Sequence, residues 1–152
     1  MSFTDIELEY LSSQRLGRVA TAQPNGTLQV NPVGFRYNKD TGTIDIAGHG
    51  MSRSRKFRNV AENGQVAFVV DDLASTQPWR PRCVEIRGEG EAIAEPTDSA
   101  WASAIPQMGF DGAIIRIHPK RIISFGIDET TGDVREFKIN KRTVGTSPRN
   151  EE

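Results

Sequence analysis

The stretch of sequence that decides the fold is Cys83-Val84-Glu85-Ile86-Arg87-Gly88-Glu89-Gly90-Glu91-Ala92-Ile93-Ala94. Small or apolar residues alternate in it with charged ones, which predicts a long β-strand with one face toward a core and the other toward solvent. Gly88 and Gly90 fall on the inner face, where they predict a sharp bend such as the corner of a barrel. A bent, amphipathic strand of this kind is typical of a small closed antiparallel sheet.

Further strands are predicted on both sides of that stretch. They span residues 15–22, 28–37, 43–47, 65–70, 113–117, 121–127 and 134–139. Asn25-Gly26 predicts a hairpin turn between the first two, because this pair readily takes the positive φ of tight turns. Pro32 marks an edge or a bulge in the second strand, since proline cannot donate to a sheet ladder. Residues 75–82, which contain two prolines, are predicted to form a loop.

Helices are fewer, and they do not alternate with the strands. They are predicted for residues 4–13, 52–62 and 98–104. Thr4 and Glu7 have the spacing of a capping box at the start of the first helix, and Gly64 ends the second. The absence of alternation argues against a doubly wound parallel sheet. The sequence therefore predicts a mainly β protein, a small antiparallel barrel with a few flanking helices.

Length, charge and cysteine content limit the partners and the compartment. The 152 residues predict one domain, residues 1–140, followed by a mobile polar tail, residues 141–152. The formal net charge of −1 gives the chain no overall attraction to nucleic acid or to an anionic membrane. The single cysteine, Cys83, excludes an intrachain disulfide and metal-ligand spacing, and it fits a reducing compartment. Without a signal peptide or a long apolar run, we expect a cytoplasmic protein.

The strongest functional signal is the segment Ser52-Arg53-Ser54-Arg55-Lys56-Phe57-Arg58. It follows a predicted strand and a Gly48-His49-Gly50 break, and it opens a predicted helix. A helix N-terminus offers unpaired N–H groups and the positive end of the dipole, and nearby hydroxyl and guanidinium groups complete a phosphate site. The alternative interpretation is a solvent-exposed basic helix face, and Arg58 fits that role in either case.

Several motifs, taken in their order along the chain, carry a family resemblance. They are Gly17–Thr21, Asn31–Val33, Ser54–Lys56, Pro78–Arg82, Arg87–Glu91 and Ile117–Gly126. Together they resemble the pyridoxamine 5′-phosphate oxidase-like flavoproteins, which have the FMN-binding split-barrel fold, over roughly residues 3–138. More narrowly, the Trp79 loop and the Pro119-Lys120-Arg121-Ile122 turn resemble the branch that uses the deazaflavin coenzyme F420 in place of FMN.

The resemblance implies a homodimer with a cofactor in the groove between two barrels. It implies an F420-dependent oxidoreductase that transfers a hydride between the deazaflavin and a conjugated small-molecule acceptor, with solvent or His49 as proton donor. Two alternatives stay open: an FMN-binding oxidase or reductase of the same fold, and a non-catalytic cofactor carrier or haem-binding barrel. Haem would need an axial ligand, for which the sequence offers His49 or His118.

The resemblance also assigns site residues. The cofactor's phosphate goes to Arg53, Ser54, Arg55 and Lys56, its ring to Asn31, Pro32, Val33, Gly48 and His49, and its outer part to Trp79, Arg80 and Arg82. Trp79 could equally pack in a dimer interface instead of contacting the cofactor. Likewise, the Asn31–Val33 stretch could be only a bulge in a strand. No nucleophile–base pair is present in the sequence, so no side chain is assigned as catalytic and the cofactor is expected to carry the chemistry. The chain also lacks the C-terminal substrate-binding tail of true pyridoxamine phosphate oxidases.

Overall fold

The computed structural model describes residues 2–96, 109–128 and 138–145. These residues form two α-helices, a short 3-10 turn and eight strands. Their bounds are α1 Asp5–Ser13, β1 Leu16–Ala22, β2 Leu28–Gly34, β3 Arg36–Asn38, β4 Thr43–His49, the 3-10 turn Met51–Arg53, α2 Arg55–Asn63, β5 Gln65–Thr76, β6 Trp79–Ile93, β7 Phe110–Phe125 and β8 Ile139–Thr143. The predicted mainly β fold with flanking helices is confirmed.

All strands belong to one antiparallel sheet that curls on itself. The strand order is β2-β1-β5-β6-β7-β4-β3, and β8 pairs with β7 outside this path. β2 and β3 form opposite edges of the path, yet only Phe35 separates them in sequence. The sheet must therefore bend round until its two edges meet, which leaves a barrel split between β2 and β3. Phe35 packs edge-to-face on Phe68 of β5, with 5.2 Å between ring centroids, and so anchors this connection in the core.

The two glycines of β6 permit the close approaches that the curled sheet needs. The β6–β7 register shifts between Arg87 and Gly88. A Cβ added at Gly88 would lie 2.3 Å from the carbonyl oxygen of His118, and one added at Gly90 would lie 2.8 Å from Val60 of α2. Any larger side chain here would push away either β7 or α2. The predicted bend at these glycines corresponds to a shift in strand register. The missing side chain of Gly90 also leaves room for α2, the helix that begins within the basic segment.

The predicted loop over residues 75–82 is wrong. β5 runs to Thr76 and pairs with β6 as far as Trp79, so the two strands form a long hairpin that turns at Gln77-Pro78. Pro78 lies in the turn itself. The strand predicted for residues 65–70 therefore continues through the acidic pair Asp71-Asp72, which lies inside β5.

Other strand boundaries also differ from the predictions. Residues 28–37 form two strands that break at Phe35, because the chain there passes from one sheet edge to the other. The two strands predicted around Pro119 are a single strand, β7. Pro119 falls between the residues that pair with β4 and those that pair with β8, so its missing N–H removes no ladder bond on that side.

The ends of the chain need a similar correction. Residues 141–143 pair with β7 as part of β8, so the sheet extends past the predicted start of the tail at 141. The helix predicted for residues 98–104, and most of the strand predicted for 134–139, lie outside the described residues. Among the residues that the structure describes, no helix is long and apolar enough to cross a membrane.

Candidate functional site

The basic segment begins with a sharp turn after β4. Gly50 has φ 54° and ψ 36°, a left-handed conformation that glycine adopts without strain, and this turn sends the chain into the 3-10 turn. Met51 is fully buried, while its neighbours Ser52 and Arg53 are exposed. The helix predicted to start at residue 52 therefore begins at Arg55, with Ser54 as its N-cap. Burial of Met51 fixes the segment to the core and leaves its polar residues at the surface.

Ser54 serves first as a helix cap. Its hydroxyl accepts a hydrogen bond from the Phe57 N–H at 3.2 Å and donates one to the Met51 carbonyl at 2.7 Å. The first-turn N–H groups of Arg55 and Lys56 have no acceptor within the helix, which is the usual condition at an α-helix N-terminus. These N–H groups, rather than the Ser54 proton, are the hydrogen-bond donors that the capped helix presents.

The positive charge of the segment is not balanced locally. Arg53 and Arg55 are exposed and Lys56 is half-buried. Within the residues described by the structure, no carboxylate forms an ion pair with these three cations. Burial lowers the pKa of Lys56 below its ordinary value, because the ammonium loses part of its hydration. An anion bound here would supply the charge that the protein does not.

The start of β7 holds this segment from the other side. Gly109 accepts the Gly50 N–H at 3.1 Å, and the Asp111 carboxylate accepts the Ser52 N–H at 3.0 Å and also the Ser52 hydroxyl. His49 pairs with Phe110, and its ring lies over Gly109, where an added Cβ would be 2.0 Å from the ring Nδ1. Asp111 was missed from the sequence because 59 residues separate it from Ser52 and no local motif marks it.

The residues assigned to the cofactor ring lie on two strands, β2 and β4, that contact each other. Asn31, Pro32 and Val33 are on β2, Gly48 and His49 are at the end of β4, and β2 contacts β4. Pro32 lies on a strand at the edge of the sheet path, as predicted. The Gln29 side-chain amide donates to Asn31 Oδ1 at 2.9 Å, so the Asn31 amide has a fixed orientation.

A hydrogen bond links the basic helix to β1, the strand that pairs with β2. Asn59 of α2 is fully buried, and its amide donates to the Thr21 hydroxyl on β1 at 3.0 Å. β1 pairs with β2 along its whole length, with Val19 opposite Asn31. The structure thus ties the segment predicted to bind phosphate to the strand predicted to line the ring.

Trp79, Arg80 and Arg82 lie elsewhere, on the β5–β6 hairpin. Eight residues separate Arg82 from Gly90, which lies beside α2, and this is roughly 26 Å of strand at about 3.3 Å per residue. The Arg82 Nε donates to Asp72 at 2.8 Å, and its guanidinium lies 5.2 Å from the centre of the Tyr10 ring. The side chain of Trp79 is 63% exposed. These three residues therefore lie at the other end of β6 from Gly90, which contacts α2.

Comparison with known proteins identifies the family. The profile of the pyridoxamine 5′-phosphate oxidase family matches residues 3–126. The chain belongs to the pyridoxamine 5′-phosphate oxidase family. Within this family it is 42% identical over 128 residues, 84% of this chain and 86% of the relative, to a 5a,11a-dehydrotetracycline/5a,11a-dehydrooxytetracycline reductase from Streptomyces rimosus. The family and this relative support an oxidoreductase.

Solved structures confirm the fold of this family member. A conserved hypothetical protein from Mycobacterium tuberculosis has a TM-score of 0.63 and 19% identity, and the match covers 88% of this chain and 94% of that one. An FAD-binding protein from Mesorhizobium loti has a TM-score of 0.58 and 20% identity, covering 80% and 93%. At these identities the likeness shows the fold alone, and it confirms the predicted split antiparallel barrel.

Proposed function

We propose that this protein is a reductase that uses reduced coenzyme F420 and transfers a hydride to a flat, conjugated acceptor. The observation that carries the proposal is the 42% identity to a dehydrotetracycline reductase, which extends over most of both chains. The prefix dehydro in that relative's name denotes an added carbon–carbon double bond, and the reductase removes it. We therefore propose a polycyclic enone as the acceptor of this protein. Smaller enones and quinones, which accept a hydride in the same way, are the second choice.

The basic segment fits a cofactor that carries a phosphate. The three cations lack carboxylate partners in the described part of the chain, and α2 presents its first-turn N–H groups beside them. Lys56 is the half-buried member and would contact the phosphate, while the exposed Arg53 and Arg55 extend the positive surface outward. F420 carries an acidic glutamyl tail beyond its phosphate, and exposed arginines suit that tail better than they suit the compact FMN.

The chain's own residues would bind the cofactor and orient the acceptor, and the cofactor would supply the hydride. Asn31, whose amide is fixed by Gln29, would hydrogen-bond the edge of the ring from β2. Gly48 would line the ring from the end of β4. His49 ends that strand and is exposed, so its imidazole could pass a proton to the reduced acceptor. No side chain acts as a nucleophile in this scheme.

We further propose that the protein works as a homodimer, because one face of the sheet is apolar and open. Leu28 is 77% exposed and Val30 is 65% exposed, both on the edge strand β2. Beside them Ala20, Ala22 and Ala67 line a groove of about 360 Å³. Exposed apolar area of this kind is typical of an interface. A second copy on this face could also bring its own Trp79 hairpin to a cofactor that its partner holds.

An anaerobic reduction assay tests this function. The protein is mixed with reduced F420 and, separately, with reduced FMN, and a dehydrotetracycline-type enone is added to each. We expect acceptor reduction with F420 in the wild type and a loss of at least tenfold in kcat/KM in an Arg55→Ala/Lys56→Ala variant. Turnover with FMN and none with F420 would move the protein to the FMN alternative. A Soret shift on haem addition without turnover would instead favour the haem-binding alternative.

A further inference from the structure

Asp111 occupies an unusual position for an acidic side chain, since it lies against the most basic segment of the chain. One of its carboxylate oxygens accepts both the N–H and the hydroxyl of Ser52, and the other accepts the Ala113 N–H at 3.2 Å. The next cation along the chain, Arg53, makes no ion pair with it. Asp111 therefore bonds to the backbone and hydroxyl of the segment and does not neutralise its charges.

These contacts add a second anchor to a loop that the buried Met51 side chain fixes to the core. Between the end of β4 and the cap at Ser54 the chain makes two tight turns. Its internal backbone bonds are Arg53 N–H to the Gly50 carbonyl and Ser54 N–H to the Met51 carbonyl, both 3.0 Å, and the Ser54 hydroxyl also donates to the Met51 carbonyl. The remaining attachments are the buried Met51 side chain, the Gly50–Gly109 bond and the two bonds to Asp111. Hydrogen bonds to a charged group are among the stronger ones in proteins, so Asp111 supplies a large part of the restraint.

The carboxylate has two opposing effects on a bound phosphate. It orders the segment, which favours binding, and it adds a negative charge nearby, which opposes it. Asp111 is exposed to solvent, where screening weakens the repulsion, and three donors already share its charge. Burial raises the pKa of Asp111, but the Ser52 hydrogen bonds outweigh this effect and hold the pKa below its ordinary value, so the group stays ionised. The ordering effect should therefore dominate.

We infer that Asp111 is a positioning residue, which holds the Gly50–Ser54 turn in the one conformation that presents the donors of α2 and the flanking cations to the cofactor's phosphate. This inference rests on the proposed function for the identity of the ligand. It gives the start of β7 a part in cofactor binding. Ser52 is then the residue through which Asp111 acts.

Cofactor affinity in a double-mutant cycle tests this assignment. If removal of the carboxylate leaves the turn in its binding conformation about a tenth of the time, the apparent Kd for F420 rises about tenfold. We expect Asp111→Ala to show this rise and Ser52→Ala to show a smaller one, because the backbone N–H of residue 52 still bonds to the carboxylate. The double variant should show no more than Asp111→Ala alone. Asp111→Asn, which keeps an acceptor oxygen without the charge, should recover most of the affinity. Additive losses, or tighter binding in Asp111→Ala, would overturn the inference.

Two control variants separate positioning from other effects. Glu62→Ala removes one negative charge from the exposed last turn of α2 and should leave the Kd within twofold of the wild type. Glu7→Gln weakens a buried ion pair between α1 and β8, so it lowers stability without touching the turn, and it should also leave the Kd unchanged. If Glu7→Gln weakened F420 binding as much as Asp111→Ala does, the effect of Asp111 would be a general loss of stability and the inference would be wrong.

A cofactor-free measurement keeps this inference distinct from the proposed function. Amide hydrogen exchange at Ser52 should be about tenfold faster in Asp111→Ala than in the wild type, with exchange in β5 unchanged. Unchanged exchange at Ser52 would refute the ordering role whatever the cofactor is. Failure of the wild type to bind either F420 or FMN, with faster exchange in the variant, would refute the proposed function and the cofactor role of Asp111 but leave its ordering role standing.

Discussion

Replacing Lys56 with methionine should stabilise the cofactor-free protein and weaken cofactor binding. Lys56 is half-buried on the first turn of α2, its pKa is lowered by burial, and no carboxylate among the described residues pairs with it. A buried ammonium without a counter-ion is unfavourable, and methionine keeps the length of the side chain while removing the charge. A residue that lowers the stability of the free protein is expected where binding requires it.

The two magnitudes follow from burial and from the bond that would be lost. Replacing fully buried ionic groups by apolar ones gains about 1–4 kcal/mol, and partial exposure reduces this to about 0.5–1 kcal/mol for Lys56→Met. A hydrogen bond to a charged group is worth about 1.5–3 kcal/mol, so the loss of the phosphate contact should raise the Kd roughly 10- to 100-fold.

The assay combines urea unfolding of the cofactor-free protein with fluorescence titration of F420. Arg58→Met, which removes an exposed charge from the same helix, is the matched control and should change neither quantity by more than about 0.5 kcal/mol. The pH dependence of the free energy of unfolding gives a second test, because its direction follows from the lowered pKa of Lys56. Because the folded pKa of Lys56 is below the unfolded value of 10.5, the wild type gains stability as the pH rises toward 10.5, and Lys56→Met lacks this gain. A variant that is less stable at neutral pH, or that binds F420 normally, would refute the reasoning.

Three further predictions concern the scaffold. Arg142→Ala leaves the carboxylate of Glu7, which is 2% exposed, buried without its partner and should lower the free energy of unfolding by about 3 kcal/mol in urea, whereas combining it with Glu7→Gln should restore much of the loss. Gly90→Ala places a Cβ 2.8 Å from a valine of α2 and should lower both stability and F420 affinity, whereas Gly34→Ala, which meets open space, should change neither; equal effects would contradict the packing account. Val30→Glu should make the proposed dimer a monomer in sedimentation while Val30→Thr does not, and a dimeric Val30→Glu variant would exclude this face as the interface.

The sequence predicts best where a pattern is local. The capping box of Thr4 and Glu7 is present, because both partners lie within one helical turn. Gly64 ends α2 in a left-handed conformation, as predicted, whereas the cap at Ser54 moves the start of the helix from the predicted residue 52 to Arg55. The alternation in Cys83–Ala94 likewise reports directly on which residues face the core.

Long-range features of the site could not be predicted from the same patterns. Asp111 and Ser52 are 59 residues apart, and Glu7 and Arg142 are 135 apart, so no spacing rule connects either pair. The two prolines of residues 75–82 indicate a loop, whereas only the pairing with the partner strand reveals that these residues belong to a hairpin. Arg82 has the charge expected of a cofactor ligand, yet Asp72 and Tyr10 hold it in its own chain.

The affinity of the protein for F420 tests the proposed function most directly. The purified cofactor-free protein should be titrated with F420 and, in parallel, with FMN, while intrinsic tryptophan fluorescence is followed. We expect micromolar or tighter binding of F420, clearly weaker binding of FMN, and loss of F420 binding in the Arg55→Ala/Lys56→Ala variant. Tight FMN binding with weak F420 binding, or F420 affinity that survives the loss of both cations, would contradict it.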